Sequence, residues 1–178
     1  LQKDLYDTNI NLPTEDSLYK SIKSLIKHID DNQPYEQSLN KVFVDLIDWT
    51  YLLPSTTGLQ ILNSKGVDYI ESDSLRIKFL NLHNYLYKER LMHFKIFKDD
   101  LLLMKSYFAK NFNQPLDLYL RYEAIPTNYN KLLESSYFKN LMLFIHNGHS
   151  NLLYTDSLIK DEILEILPLV DEEIAKLK

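Results

Sequence analysis

The chain of 178 residues has no cysteine and only 3 glycines. Without cysteine there is no disulfide, no thiolate metal site and no cysteine nucleophile, and either an oxidising or a reducing compartment fits. So few glycines leave little room for tight loops and suit long helices. No run reaches the roughly 18 apolar residues of a membrane span, and no signal peptide is visible. The first residue is Leu1 rather than methionine, which leaves room upstream for an anchor or signal. Positive charge is also short. Lys and Arg number 20 against 25 Asp and Glu, for a net charge of -5, and the basic residues are scattered. A duplex-binding surface wants a basic stripe, so nucleic acid is excluded as a partner class. The GxGxxG, P-loop and HExxH patterns are absent as well.

What is present is helical periodicity. A chain this long buries roughly 70% of its unfolded surface, enough for one domain without staples. The best-specified stretch runs from Leu59 to Phe108. Thr56-Thr57-Gly58 precedes a short helix over 57–64, and Lys65-Gly66 ends it, glycine taking the left-handed conformation past the last turn. Ser72-Asp73-Ser74 opens the next helix by offering oxygens to its unpaired N–H groups. That helix meets no glycine or proline until Pro115, so its expected span is 74–112. Leu75, Phe79, Leu82, Leu86, His93, Phe97, Met104 and Phe108 keep helical phase along it.

Elsewhere, Leu1 to Ile10 reads as the end of an upstream helix, with Leu12-Pro13-Thr14 as its break. Glu15 to Ile29 is the first full helix, and Glu36 to about Tyr51 the second. Pro115 to Pro126 alternates apolar and polar residues, but a lone strand finds no ladder partner, which makes it a packed loop or short helix. Asn128 to Glu134 gives one or two helical turns. From Ser135 or Ser136 onward, apolar residues hold phase to Leu177. That predicts either one long helix tolerating Gly148 and kinked at Pro168, or two helices split near Gly148 or Thr155. Glu15-Asp16-Ser17-Leu18, Glu36-Gln37-Ser38-Leu39, Ser72-Asp73-Ser74-Leu75 and Thr155-Asp156-Ser157-Leu158 look alike and read as helix starts, acid and hydroxyl at the positive end. The expected fold is one all-α domain over 1–178: a helical bundle of about four main helices, the 74–112 helix its spine and the C-terminal helix packed along it.

Candidate chemistry is sparse. His146 and His149, three apart, can start a metal site, but a third ligand is not evident, and two boundary histidines are the plainer reading. Glu89 and His93 stand four apart beside Arg90, whereas carboxylate bundles use Glu-x-x-His. His93 falls on the apolar stripe, which suits a hydrogen-bonded core histidine. Tyr87, Glu89 and His93 remain the candidate lining of a small-ligand site. Asp45 and Asp48 flank Trp49, a pair that usually marks a solvated face. Ser72, Ser135 and Ser136 read as caps rather than nucleophiles. The unusual feature is 13 Tyr and 8 Phe. Tyr85, Tyr87, Tyr119, Tyr122, Tyr129 and Tyr137 exceed what one helical core requires and suit a binding face.

Two stretches carry a family resemblance. Leu59-Gln60-Ile61-Leu62-Asn63-Ser64-Lys65-Gly66-Val67-Asp68-Tyr69-Ile70 followed by Ser72-Asp73-Ser74-Leu75-Arg76 is one. Tyr129-Asn130-Lys131-Leu132-Leu133 with Tyr137-Phe138-Lys139-Asn140 is the other. Together they resemble a domain-of-unknown-function family of Bacteroidetes-type bacteria, over most of the chain from about Leu12. Its members look like short proteins with a basic N-terminus, one transmembrane helix and a helical domain beyond it. By the positive-inside rule the resemblance implies a single-pass anchor upstream of this fragment and a domain on the periplasmic side of the inner membrane. It brings no activity, cofactor or catalytic residue. The expected function is therefore a non-enzymatic, membrane-tethered module for sensing or protein interaction, with a protein partner or self-association and no cofactor. A small-ligand or metal-binding bundle is the alternative, and a hydrolytic enzyme comes third.

Overall fold

The structure, a computed structural model, describes all residues except 53, 56–59, 61–63, 65, 67–69, 114–122 and 177–178. It is all-α, a helical bundle architecture with one two-residue ladder among the described residues. The elements are α1 (Gln2–Asp30), α2 (Leu39–Asp45), α3 (Asp73–Asn81), a π-helical turn (Leu82–Leu86), α4 (Tyr87–Asn111), β1 (Phe112–Asn113), β2 (Ile125–Pro126), α5 (Tyr129–Glu134) and α6 (Ser136–Lys176). No helix among the described residues is long and apolar enough to cross a membrane.

The residues gather into two compact units. The first comprises Leu1–Pro13, Tyr51–Met92 and Leu152–Lys178. Its core joins Leu75, Leu82 and Leu86 to Ile159, Ile163 and Ile166 of α6, with Leu52 and Ile70 from the intervening chain. The second comprises Thr14–Thr50 and His93–Asn151. There α1 buries Leu18, Ile22, Leu25 and Ile29, a gross gain of roughly 6–12 kcal/mol before conformational entropy. Phe112 stacks on Phe108 at 4.0 Å and meets Phe43 edge-on at 5.1 Å.

Local signals explain much of this. Ser72 caps α3, its hydroxyl accepting from the Leu75 N–H at 3.3 Å. Asn128 caps α5 through the Lys131 N–H, and Ser135 accepts from the Phe138 N–H at 3.1 Å. Gly66 has φ +95°, as expected. The helix it was expected to end lies mostly outside the described residues, though Gln60 and Ser64 are helical. Asn32, with φ +50°, ends α1 in a Schellman arrangement: its N–H reaches the Ile29 carbonyl and the Gln33 N–H that of His28, both at 3.1 Å.

Several expectations are corrected. Pro13 does not break the first helix, and α1 runs through it from Gln2 to Asp30. The lost N–H and the crowding near Asn9 are tolerated because buried residues anchor both sides, Asp4 and Thr8 before it and Glu15 and Leu18 after it. The second helix is shorter than 36–51. It ends at Asp45 with tightened bonds from Leu46 and Ile47 back to Phe43 and Val44. The long helix is continuous but takes a π-helical turn, and it stops at Asn111. Ile125–Pro126 does find a ladder partner, Phe112–Asn113, while most of 115–124 lies outside the described residues. Of the four look-alike tetrapeptides, those at Glu15 and Thr155 sit inside helices rather than starting them. The C-terminal segment is a single helix through Gly148 and Pro168. Gly148 allows this by close packing, since a Cβ there would fall within the Phe97 ring.

Candidate functional site

In the second unit a carboxylate, a hydroxyl and an imidazole meet in the core. Glu15 lies on the face of α1 that carries Leu18 and Ile22 and is fully buried. Its Oε1 accepts from the backbone N–H of Thr50 at 3.1 Å and from the Thr50 hydroxyl. Its Oε2 faces His149 Nδ1 at 2.6 Å, so Nδ1 carries the proton. Burial pushes the Glu15 carboxyl up, but hydrogen bonds and charge from His149, helped by Thr50, outweigh it and hold the group below the usual range. A carboxylate orienting an imidazole is half of a general-base arrangement. Here Nε2 has no hydrogen-bond partner among the described residues, and the ring meets Phe97 edge-on at 4.8 Å. With no exposure at either member, the pair ties α1 to α6 and has no visible route to a substrate.

His146 goes elsewhere. Its ring stacks on Tyr19 at 4.5 Å, and burial first, then Lys23 and His149, lower its basicity against an Asn147 bond that raises it. Among the described residues no three His, Asp or Glu side chains gather to hold a metal, so His146 and His149 gain no third ligand there.

The first unit holds a second buried polar set. Asp4 accepts from the Tyr87 hydroxyl at 2.6 Å and from the Ser55 N–H at 3.0 Å. Burial, then Asp4, pushes the Tyr87 phenol far above its ordinary range, so it stays a donor. His83 lies on the π-helical turn between Phe79 and Tyr87, its basicity lowered by burial. Among the described residues Arg90 is the largest fully buried side chain, and it pairs with Asp156 through Nε at 2.7 Å. Arg90, one turn before His93, is the residue of this stretch that the core takes in. His93 itself is half-buried.

Tyr87 is committed to Asp4, Glu89 is half-buried in the first unit, and His93 lines a recess of about 200 Å³ in the second unit with Ile96, Phe97, Asp100, Phe144 and Asn147. Of the paired aspartates, Asp45 accepts from Ser21, while exposed Asp48 accepts from the Trp49 N–H at 2.8 Å. Trp49 carries Lys105 Nζ over its ring at 3.9 Å. Tyr85 and Tyr137 are exposed, and Tyr119 and Tyr122 lie outside the described residues.

A larger recess, about 390 Å³, also belongs to the second unit. The left-handed Asn32 turns the chain so that Gln33, Pro34 and Tyr35 form one wall, and the start of α5 forms the other with Asn128, Tyr129 and Asn130. The rings of Tyr35 and Tyr129 lie 5.3 Å apart. The Tyr129 hydroxyl donates to the Gln33 carbonyl at 3.1 Å, and His28 Nε2 lies 3.0 Å from the Pro34 carbonyl, which fixes the loop. None of its eight lining residues is charged. Only Tyr129 of this recess was singled out in the sequence, as part of the tyrosine excess. No protein-family model, curated protein or solved structure matches the chain.

Proposed function

We propose that this chain is a non-enzymatic binding module of the sensory kind, and that the Tyr35–Tyr129 recess recognises an uncharged polyhydroxyl ligand, a sugar. The observation that carries the reading is the lining: amide side chains and two phenol rings without a formal charge. A buried charge on the ligand would need a counter-charge, which this lining lacks. Sugar hydroxyls each donate and accept, and a carboxamide offers both functions side by side. The rings supply flat apolar surface with a polar tip for the C–H face of a sugar. The volume lies within the span of small-molecule sites. The family resemblance supports a tether upstream and a location outside the cytoplasm, where free sugars and glycans are met.

Titration calorimetry against a panel of neutral mono- and disaccharides tests this. A millimolar dissociation constant, about 4 kcal/mol, is expected for at least one. Tyr129→Ala should weaken it about five- to tenfold, the worth of one aromatic contact, and Asn130→Ala should also lower affinity. A flat panel with the fold intact overturns the sugar reading.

A further inference from the structure

We propose that the recess between α4 and α6 in the second unit is a binding site for an organic ammonium ion, held by the Asp100 carboxylate and the exposed phenyl ring of Phe144. The site is distinct from the Tyr35–Tyr129 recess and rests on a different observation. Asp100 is half-buried in the recess wall and has no hydrogen bond or ion pair among the described residues. Burial and then the neighbouring Asp99 carboxylate both push its carboxyl up, so neither relieves its charge. A carboxylate in that position is relieved by a cation. The same recess is walled by the exposed ring of Phe144, whose face attracts cations, and by Ile96, which offers no polar group, while buried Phe97 closes its floor.

The lining chooses among cations. A hard metal ion would want six or more oxygen ligands, and no three acidic or histidine side chains gather among the described residues. Apolar walls suit a cation that carries carbon. At about 30 Å³ per water-sized group, the 200 Å³ recess admits an ammonium head with a short tail. Phe144 is 51% exposed, so ligand closing over it would also cover apolar surface now in water. Asn147 and His93 also line the recess.

Calorimetry on this chain with choline and tetramethylammonium tests the proposal, alongside the neutral tert-butyl analogue of choline. Both cations should bind, and the neutral analogue should bind about tenfold more weakly, since it loses the Coulomb attraction to Asp100 and the cation–π attraction to Phe144. Asp100→Asn should lose about tenfold for both cations through the lost Coulomb attraction, and Phe144→Ala should lose several-fold. Asp99→Asn, at an exposed neighbour, should change affinity little. The proposal is overturned if neither cation binds, if Asp100→Asn binds them as the parent chain does, or if the neutral analogue matches choline. Circular dichroism of each variant separates loss of the site from loss of the fold.

Discussion

Glu15 illustrates how a single acid in the core was hidden by its surroundings. Flanked by Asp16 and Ser17, it looks like part of a helix start, yet it keeps phase with Leu18, Ile22, Leu25 and Ile29, all buried. Asp156 is the same case, in phase with Leu152, Ile159 and Ile163, and Arg90 follows Leu86 by one turn. Phase was the available signal, and it outranks the cap-like neighbours. Two tests follow from the burial. Glu15→Gln keeps the shape but weakens the bonds to Thr50 and His149, at a cost of about 1–3 kcal/mol in urea unfolding. Because the folded Glu15 carboxyl titrates below its ordinary value of about 4.5, the unfolded chain binds more protons there. Its contribution is present above about pH 4.5 and is lost as pH falls through the folded value. The acid-side loss of stability should be shallower in Glu15→Gln than in the parent chain. Asp45 works in the opposite direction, its carboxyl raised by burial first and by Asp48, so the difference between the two proteins isolates Glu15. Arg90→Met leaves Asp156 charged in the core and should cost about 3–5 kcal/mol, whereas Arg90→Met with Asp156→Leu should cost less. Equal losses would show that the other interactions of Asp156 hold its charge.

At the level of elements, helix existence was legible and helix ends only partly so. Ser72, Asn128 and Ser135 cap as their side-chain chemistry dictates, and Gly66 takes the backbone conformation only glycine adopts freely. Pro13 misled and Gly148 left two readings open, since tertiary packing on both sides of a weak position can override local preference. Gly148 has a reason beyond tolerance. Added methyl volume would drive into Phe97, which already packs against His149. Alanine's better helix propensity offers about 1 kcal/mol, against about 1–3 kcal/mol for overpacking a core that cannot shift freely. Gly148→Ala should therefore lower the melting temperature by a few degrees at about 2–4 °C per kcal/mol. A rise would show that Phe97 swings away without cost. The recesses were the least legible features. Asn32 to Tyr35 and Asn128 to Asn130 lie far apart in sequence, and neither carries a spacing that announces a site. Only the Schellman turn and the short α5 bring them together.

For the molecule as a whole, the all-α architecture was readable because periodicity is a property of every turn, while function rests on a few side chains whose neighbours are set by tertiary structure. The two units raise a question of cooperativity. Helices α1, α4 and α6 each contribute residues to both cores without interruption. Melting one unit alone would require each helix to end midway, leaving up to four unpaired carbonyls or N–H groups at each new end. Pro13 lowers that cost in α1, where one bond is already missing, but α4 and α6 have no such break at Met92 or Asn151. The expected outcome is one unfolding transition. The single tryptophan makes this measurable, since Trp49 belongs to the second unit. Its fluorescence and far-ultraviolet circular dichroism should change together in urea. Arg90→Met, placed in the first unit, should shift the Trp49 transition as much as the dichroism. If the fluorescence midpoint stays put while part of the helical signal moves, the cores melt separately, and the continuity of α4 and α6 is too weak to couple them.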